Sequence, residues 1–347
     1  MKKQFHLFVL FIAAALASTA FGQKESSRSA ILPPAVYKPI AVVHSASLQA
    51  ILDDAVSKIM SAKGIKDGEL AATVIDLSDP AKAFDASYQG GIKLYPASVV
   101  KLFYLAALER QIEDGKIVPS NELRRAERDM IVDSSNEATQ LIVDVLTGTT
   151  GGPELPAKEL ERWQFKRNRV NRFFTALGYT GINVNQKTFC TDAYGIEQQS
   201  RGPNGENRNM LTTDATARLF AEIVTGRIAG KQFSDRMMEV LHREPFVKGD
   251  EADQAHAFIG KALIDRDLRD VKLWSKAGWT STARHDAAYL AFPDGRKFII
   301  VILTQAHANE KDIIPELAGR LIDSLKNPIA ARGARTAPLL HFGELDG

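Results

Sequence analysis

The chain has 347 residues, 45% of them hydrophobic and 25% charged, with 44 Lys and Arg against 42 Asp and Glu for a formal net charge of +2. This is the composition of a folded domain rather than a disordered or fibrous chain, and it provides no overall field to hold a polyanion, which excludes nucleic acid as the main partner. One cysteine, Cys190, leaves no internal disulfide and no thiolate metal cage.

Met1-Lys2-Lys3, the apolar run Leu7 to Ala17 and the small residues of Ala20-Phe21-Gly22 match the three parts of a cleaved export signal over residues 1–22. The apolar part is too short for a permanent span, so the expectation is a periplasmic or secreted protein with no stable membrane span after cleavage. Residues 23–47, with Pro33-Pro34, read as an extended lead-in, residues 48–326 as one domain and residues 327–347 as a flexible tail. Leu48, Ile51, Leu52, Val56 and Met60 share a helical face within Leu48 to Ala62, and Leu70 to Leu77 is a β-rich run. Ser98 to Asp114 is a helix apolar on most sides, as expected inside a domain, with Pro96 and Ser98 at its start. Ala126 to Leu146 reads as a second helix and Glu159 to Leu177 as a third, with Trp163, Val170, Phe174 and Leu177 as its core stripe. Further helices are expected from Thr213 to Thr225 and from Ser234 to His242.

The period then changes. Val271 to Trp274, Ala287 to Phe292 and Lys297 to Leu303 are strand-like, Pro293-Asp294-Gly295-Arg296 is a hairpin turn, and Ile313 to Leu325 is an amphipathic helix. A helix and strand in front, helices in the middle and strands plus a helix behind argue an α+β fold whose two ends join one antiparallel sheet.

Ser98-Val99-Val100-Lys101 puts a hydroxyl and an amine three residues apart on one helical face, about 5–6 Å apart at Cβ. A lysine in apolar surroundings loses affinity for its proton and can act as a base toward the serine. The helix start adds free N–H groups where a carbonyl oxygen would become negative. Downstream come Ser134-Ser135-Asn136 in a helical region and Lys276-Ala277-Gly278 after a strand.

In this order and on these elements the three motifs resemble those of the serine β-lactamase and penicillin-binding protein superfamily, S-x-x-K, S-D-N and K-T-G. Pro96-Ala97-Ser98, Asn136-Glu137-Ala138-Thr139 and Leu211-Thr212-Thr213 are similar to the class A branch, and the resemblance spans roughly Leu48 to Leu325. It implies an antiparallel sheet with flanking helices plus a central all-helical subdomain. It also implies that Ser98 is the acyl-accepting nucleophile, Lys101 its proton acceptor, and Ser134 the shuttle to the leaving nitrogen. Asn136 would hold the substrate amide. Lys276, in Lys276-Ala277-Gly278, would set the electrostatics around Ser134 and attract a substrate carboxylate. The N–H groups of Ser98 and Trp279 would form an oxyanion hole.

Departures accompany the matches. Ser135 stands where the family has aspartate, Ala277 lacks the hydroxyl usually offered to the substrate carboxylate, and roughly 36 residues separate Ser98 from Ser134. No E-x-x-L-N loop is found; Glu197 falls near that glutamate's place and is the candidate deacylation base. Arg284 is a candidate partner for a substrate carboxylate, or else a strand-end charge. The expected activity is that of an exported, β-lactamase-like serine hydrolase. A D-alanyl-D-alanine carboxypeptidase or esterase and a catalytically silent envelope binding protein are the alternatives. Its partner would be a small-molecule β-lactam or a peptidoglycan peptide, bound by a monomer with no cofactor and no metal, since no His-Glu-x-x-His pair occurs. Gly226 to Lys231 reads as a helix end rather than a phosphate loop.

Overall fold

The computed structural model describes residues 37–250 and 253–325; the expected signal, most of the lead-in and the tail lie outside the described residues. Its strands are β1 (Val42–His44), β2 (Leu70–Asp76), β3 (Ala83–Tyr88), β4 (His242–Arg243), β5 (Lys272–Trp279), β6 (Ala283–Ala291) and β7 (Lys297–Gln305). They form one sheet in the order β1-β3-β2-β7-β6-β5-β4. β1 and β3 are parallel and every other pair is antiparallel, so the front and back of the chain meet where β2 pairs with β7.

Both faces of the sheet are covered. Ala71 and Ile75 of β2 and Ile299, Val301 and Leu303 of β7 enter one core, while Leu70, Ala72, Val74, Phe298, Ile300 and Ile302 enter the other. Strands buried on two sides read as continuous apolar runs, and a slip of one residue would exchange the two sets.

The helices are α1 (Ala46–Lys63), α2 (Lys101–Glu113), α3 (Asn121–Ile131), α4 (Asn136–Thr147), α5 (Ala157–Arg167), α6 (Arg169–Ala176), α7 (Ile196–Arg201), α8 (Thr213–Val224), α9 (Lys231–Leu241), α10 (Ile259–Ile264) and α11 (Ile313–Ser324). α1 starts where the Ser45 hydroxyl accepts the Leu48 N–H and stops at Gly64, whose φ of 65° suits a residue without Cβ. It shares the second core with α10 and α11. α2 lies in the first core, buried from Lys101 to Gln111, and Phe103 packs edge-to-face on Phe174 of α6. Among the described residues no helix is long and apolar enough to cross a membrane.

Two expected helices are broken in the structure. The stretch from Ala126 to Leu146 divides into α3 and α4, and that from Glu159 to Leu177 into α5 and α6. Trp163 leaves the core stripe: it is half-buried, stacks on Arg167 at 4.2 Å and donates to the Thr150 carbonyl, while Val170, Phe174 and Leu177 are buried. β5 and β6 extend beyond their apolar stretches, and β1, β3, β4, α7 and α10 are additional elements.

Candidate active site

Ser98 sits in a 3₁₀ turn, Ala97–Val100, that leads directly into α2. Its neighbours Ala97, Val99 and Val100 are buried, while Ser98 itself is half-buried. Ala97 has φ 46°, a conformation that side chains with a Cβ avoid, so the chain turns sharply just before the serine. His285 fixes that bend from below. Its Nδ1 accepts the Thr304 N–H, which leaves Nε2 to carry the proton it donates to the Tyr95 carbonyl at 2.9 Å. Burial lowers the His285 pKa to about 4, so the ring is neutral and this tautomer persists at ordinary pH.

β5 crosses over the same turn. A Cβ at Gly278 would come within 2.7 Å of the Ser98 nitrogen and 2.9 Å of the Val99 nitrogen, so glycine is required by the approach of two backbones. Thr280 donates to the Ala283 carbonyl across the β5–β6 turn. Antiparallel alternation therefore leaves the Trp279 N–H on the edge of β5 facing away from β6, where the Ala277 N–H meets Gln254.

Ser134 lies between α3 and α4 with φ 56°, a second strained residue. Ser135 begins α4 by accepting the Ala138 N–H at 3.0 Å, a capping task that serine and aspartate perform alike. Two buried amines converge on the Ser134 hydroxyl, Lys276 Nζ at 3.0 Å and Lys101 Nζ at 3.3 Å. Each amine has two further partners that only accept: the Ser134 carbonyl (2.5 Å) and Asn136 Oδ1 (3.0 Å) for Lys101, Gln254 Oε1 (2.6 Å) and the Ala277 carbonyl (2.7 Å) for Lys276. Two N–H bonds of each amine are thus committed, and the third position faces Ser134 as a donor when charged and as a lone pair when neutral. Burial lowers the Lys101 pKa to about 7, against opposing contributions from Glu137 and Cys190. Burial, then the charges of Lys101 and Arg243, push Lys276 well below its usual range, with Asp286 opposing. No hydrogen bond joins Lys101 to Ser98 among the described residues; the amine turns to Ser134 instead.

Gln254 escaped sequence reading. Its Oε1 accepts from Lys276 and from the Ala277 N–H, and its Nε2 donates to the carbonyls of Ile131 (3.1 Å) and Val132 (2.9 Å). It therefore ties β5 to the end of α3. No local motif announces it, because its partners are distant along the chain.

Residues 51–325 match the sequence profile of the beta-lactamase enzyme family. The chain belongs to the beta-lactamase enzyme family. Solved structures of similar fold include a β-lactamase from Sphaerobacter thermophilus, 18% identical over 78% of this chain and 96% of that one, with a TM-score of 0.56. A class A β-lactamase representative from Bacteroides cellulosilyticus is 17% identical over 80% and 98%, also with a TM-score of 0.56. The protein PBP-A is 15% identical over 84% and 99%, with a TM-score of 0.53. At these identities the likeness is one of fold. No curated protein sequence matches the chain.

Within this beta-lactamase family member, other expected site residues go elsewhere. The Ala277 methyl is buried in the second core, so a side chain there faces away from Ser134 and the residue contributes only its backbone. Arg284 does not line the cavity beside the site; it packs over the Phe258 ring at 4.1 Å and donates to the Ala257 carbonyl. Glu197 lies in a buried ion cluster, with Arg167 bound to both carboxylate oxygens at 2.7 and 2.8 Å and Lys187 at 3.3 Å. It makes no hydrogen bond to Ser98, Lys101, Ser134 or Asn136, and takes the part of an anchor. The position next to Asn136 is held by exposed Cys190, whose sulfur accepts from Asn136 Nδ2 at 3.4 Å. Asn136, Cys190, Tyr95 and Trp279 line a cavity of about 920 Å³. Among the described residues no cluster of three His, Cys, Asp or Glu could hold a metal ion.

Proposed function

We propose that this chain is an exported serine hydrolase that opens β-lactam amides through an acyl-Ser98 intermediate and releases the product slowly. The observation carrying this reading is the convergence of the Lys101 and Lys276 amines on one hydroxyl, Ser134, in a fold that holds half-buried Ser98 at a strained helix start. The Ser98 oxygen attacks the lactam carbonyl while its proton passes to Lys101, whose lowered pKa leaves much of it neutral near pH 7 and whose lone pair must swing from Ser134 to Ser98 for this step. The oxyanion rests on the N–H groups of Ser98 and Trp279. As the C–N bond breaks, Ser134 gives its proton to the leaving nitrogen and recovers one from Lys101. Lys276 steadies Ser134 throughout, and Asn136 holds the substrate amide. Hydrolysis then needs a water activated by the same lysine, because Glu197 is committed to Arg167.

That shortage of a carboxylate base also favours a second reading, a D-alanyl-D-alanine peptidase on the same scaffold. Incubation with benzylpenicillin should add the drug's mass to wild type but not to Ser98→Ala, and the adduct should persist for many minutes. An unmodified mass together with no turnover of drug, peptide or simple ester would overturn both readings in favour of a silent binding protein.

A further inference from the structure

We propose that Arg208, stacked on Tyr95, receives a carboxylate carried by the acyl half of the substrate. This rests on the serine-hydrolase reading above and specifies which acyl groups that site selects.

The cavity of about 920 Å³ has Asn136 and Trp279 in its wall together with Tyr95 and Arg208. Ser98, Lys101, Ser134 and Lys276 do not line it; the two site residues that do, Asn136 and Trp279, are the ones that would hold the acyl amide and its carbonyl oxygen. The space therefore belongs to the acyl side. Its charges are unevenly satisfied. Lys187 is held by Asp144 at 2.8 Å and Glu197 at 3.3 Å, and Arg201 is bound to Asp192 and Gln198. His285 is neutral. Arg208 alone among these lining cations has no hydrogen bond or ion pair from its guanidinium among the described residues; what it has is the Tyr95 ring at 4.2 Å. Asp192 is the one carboxylate in the wall. Its pKa is lowered first by the hydrogen bond from Arg201, with the charge of Arg208 a smaller contribution.

The arm is also held in place without a ligand. The Arg208 N–H donates to the Gly205 carbonyl at 3.0 Å, and its own carbonyl accepts from Asn183 at 2.8 Å. A Cβ at Gly205 would come within 2.7 Å of Arg208 Cδ, so the side-chain stem lies directly on that glycine. Next to it, Asn209 is locked by bonds to Asn185 and Gln186. Stacking on a ring face leaves the N–H edge of a guanidinium open, and that planar fork matches a carboxylate bidentately. A pre-positioned cation loses little freedom on binding.

The test compares second-order rates of Ser98 acylation by α-carboxybenzylpenicillin and benzylpenicillin, in the full chain and in its Arg208→Gln variant. The preference for the carboxylated drug should fall about tenfold in the variant. In wild type it should shrink at about 0.5 M salt, because the arm is exposed. An unchanged preference overturns the proposal. If benzylpenicillin leaves wild-type Ser98 unmodified and no drug, peptide or ester is turned over, the hydrolase reading fails by itself. Calorimetry of α-carboxybenzylpenicillin with Ser98→Ala and with Ser98→Ala/Arg208→Gln then decides about Arg208: binding lost in the double variant supports it, and equal or no binding overturns it.

Discussion

Lys101 is buried yet chemically useful because the same burial that makes its charge costly weakens its hold on the proton, so that near neutrality much of the amine is uncharged and free to accept one. This has a consequence for stability. In the unfolded chain the amine keeps its proton up to the ordinary value of 10.5, whereas in the fold it gives the proton up at about 7. Between those values the unfolded state binds the extra proton, so raising pH stabilises the fold, by at most about 1.4 kcal/mol per pH unit from this one group. Lys276 contributes in the same direction. Lys101→Met should therefore show a shallower rise of unfolding free energy from pH 7 to 10 in urea titrations than wild type. An equal slope in both proteins would refute the lowered affinity.

At the scale of elements, the site is a junction between β5, the break between α3 and α4, and the turn before α2, and Gln254 is what fixes the first to the second. Gln254→Glu places a carboxylate against Lys276 and should raise its affinity for a proton, moving the basic limb of the acylation pH profile upward by about one unit or more. A residue that only braced the backbone would lower the yield of folded protein and leave the profile where it was. The same junction explains which elements sequence reading could reach. α1, β2, β7 and α11 lie almost where their apolar residues put them, because periodicity follows from burial. The break at Ser134 was hidden inside a continuous helical pattern: the residues on both sides keep their helical faces, and the contacts around Ser134 at φ 56° come largely from elsewhere in the chain, from Lys101, Lys276 and Gln254. β3 went unseen because Ala83 to Tyr88 is short, with Asp85 and Ser87 breaking up its apolar residues, and it is held as a strand by pairing with β1 and β2.

Across the molecule, the helical region is held by charge as well as by apolar packing. Arg167 at the end of α5 is 1% exposed and reaches Glu197 in α7, while Lys187 joins that carboxylate to Asp144 in α4. Ser98, Lys101, Ser134, Asn136 and Lys276 could be marked from motifs, but the placement of Glu197 could not, since a glutamate beside an anticipated loop reads the same whether it faces water or a buried arginine. Glu197→Ala would strip enclosed Arg167 of its two short carboxylate bonds, leaving only Asp144 at 3.6 Å, and should cost about 3 kcal/mol by denaturant titration. A loss below about 1 kcal/mol would mean that the cluster is not a structural anchor.

Cys190 is the chain's sole sulfhydryl, exposed and in contact with the Asn136 amide. A maleimide dye would consequently attach at one known spot without any engineering, at the rim of the recess where drugs are expected to settle. Its emission would then give a continuous optical record of occupancy, in which arrival, residence and departure of each compound are followed in a single stopped-flow trace.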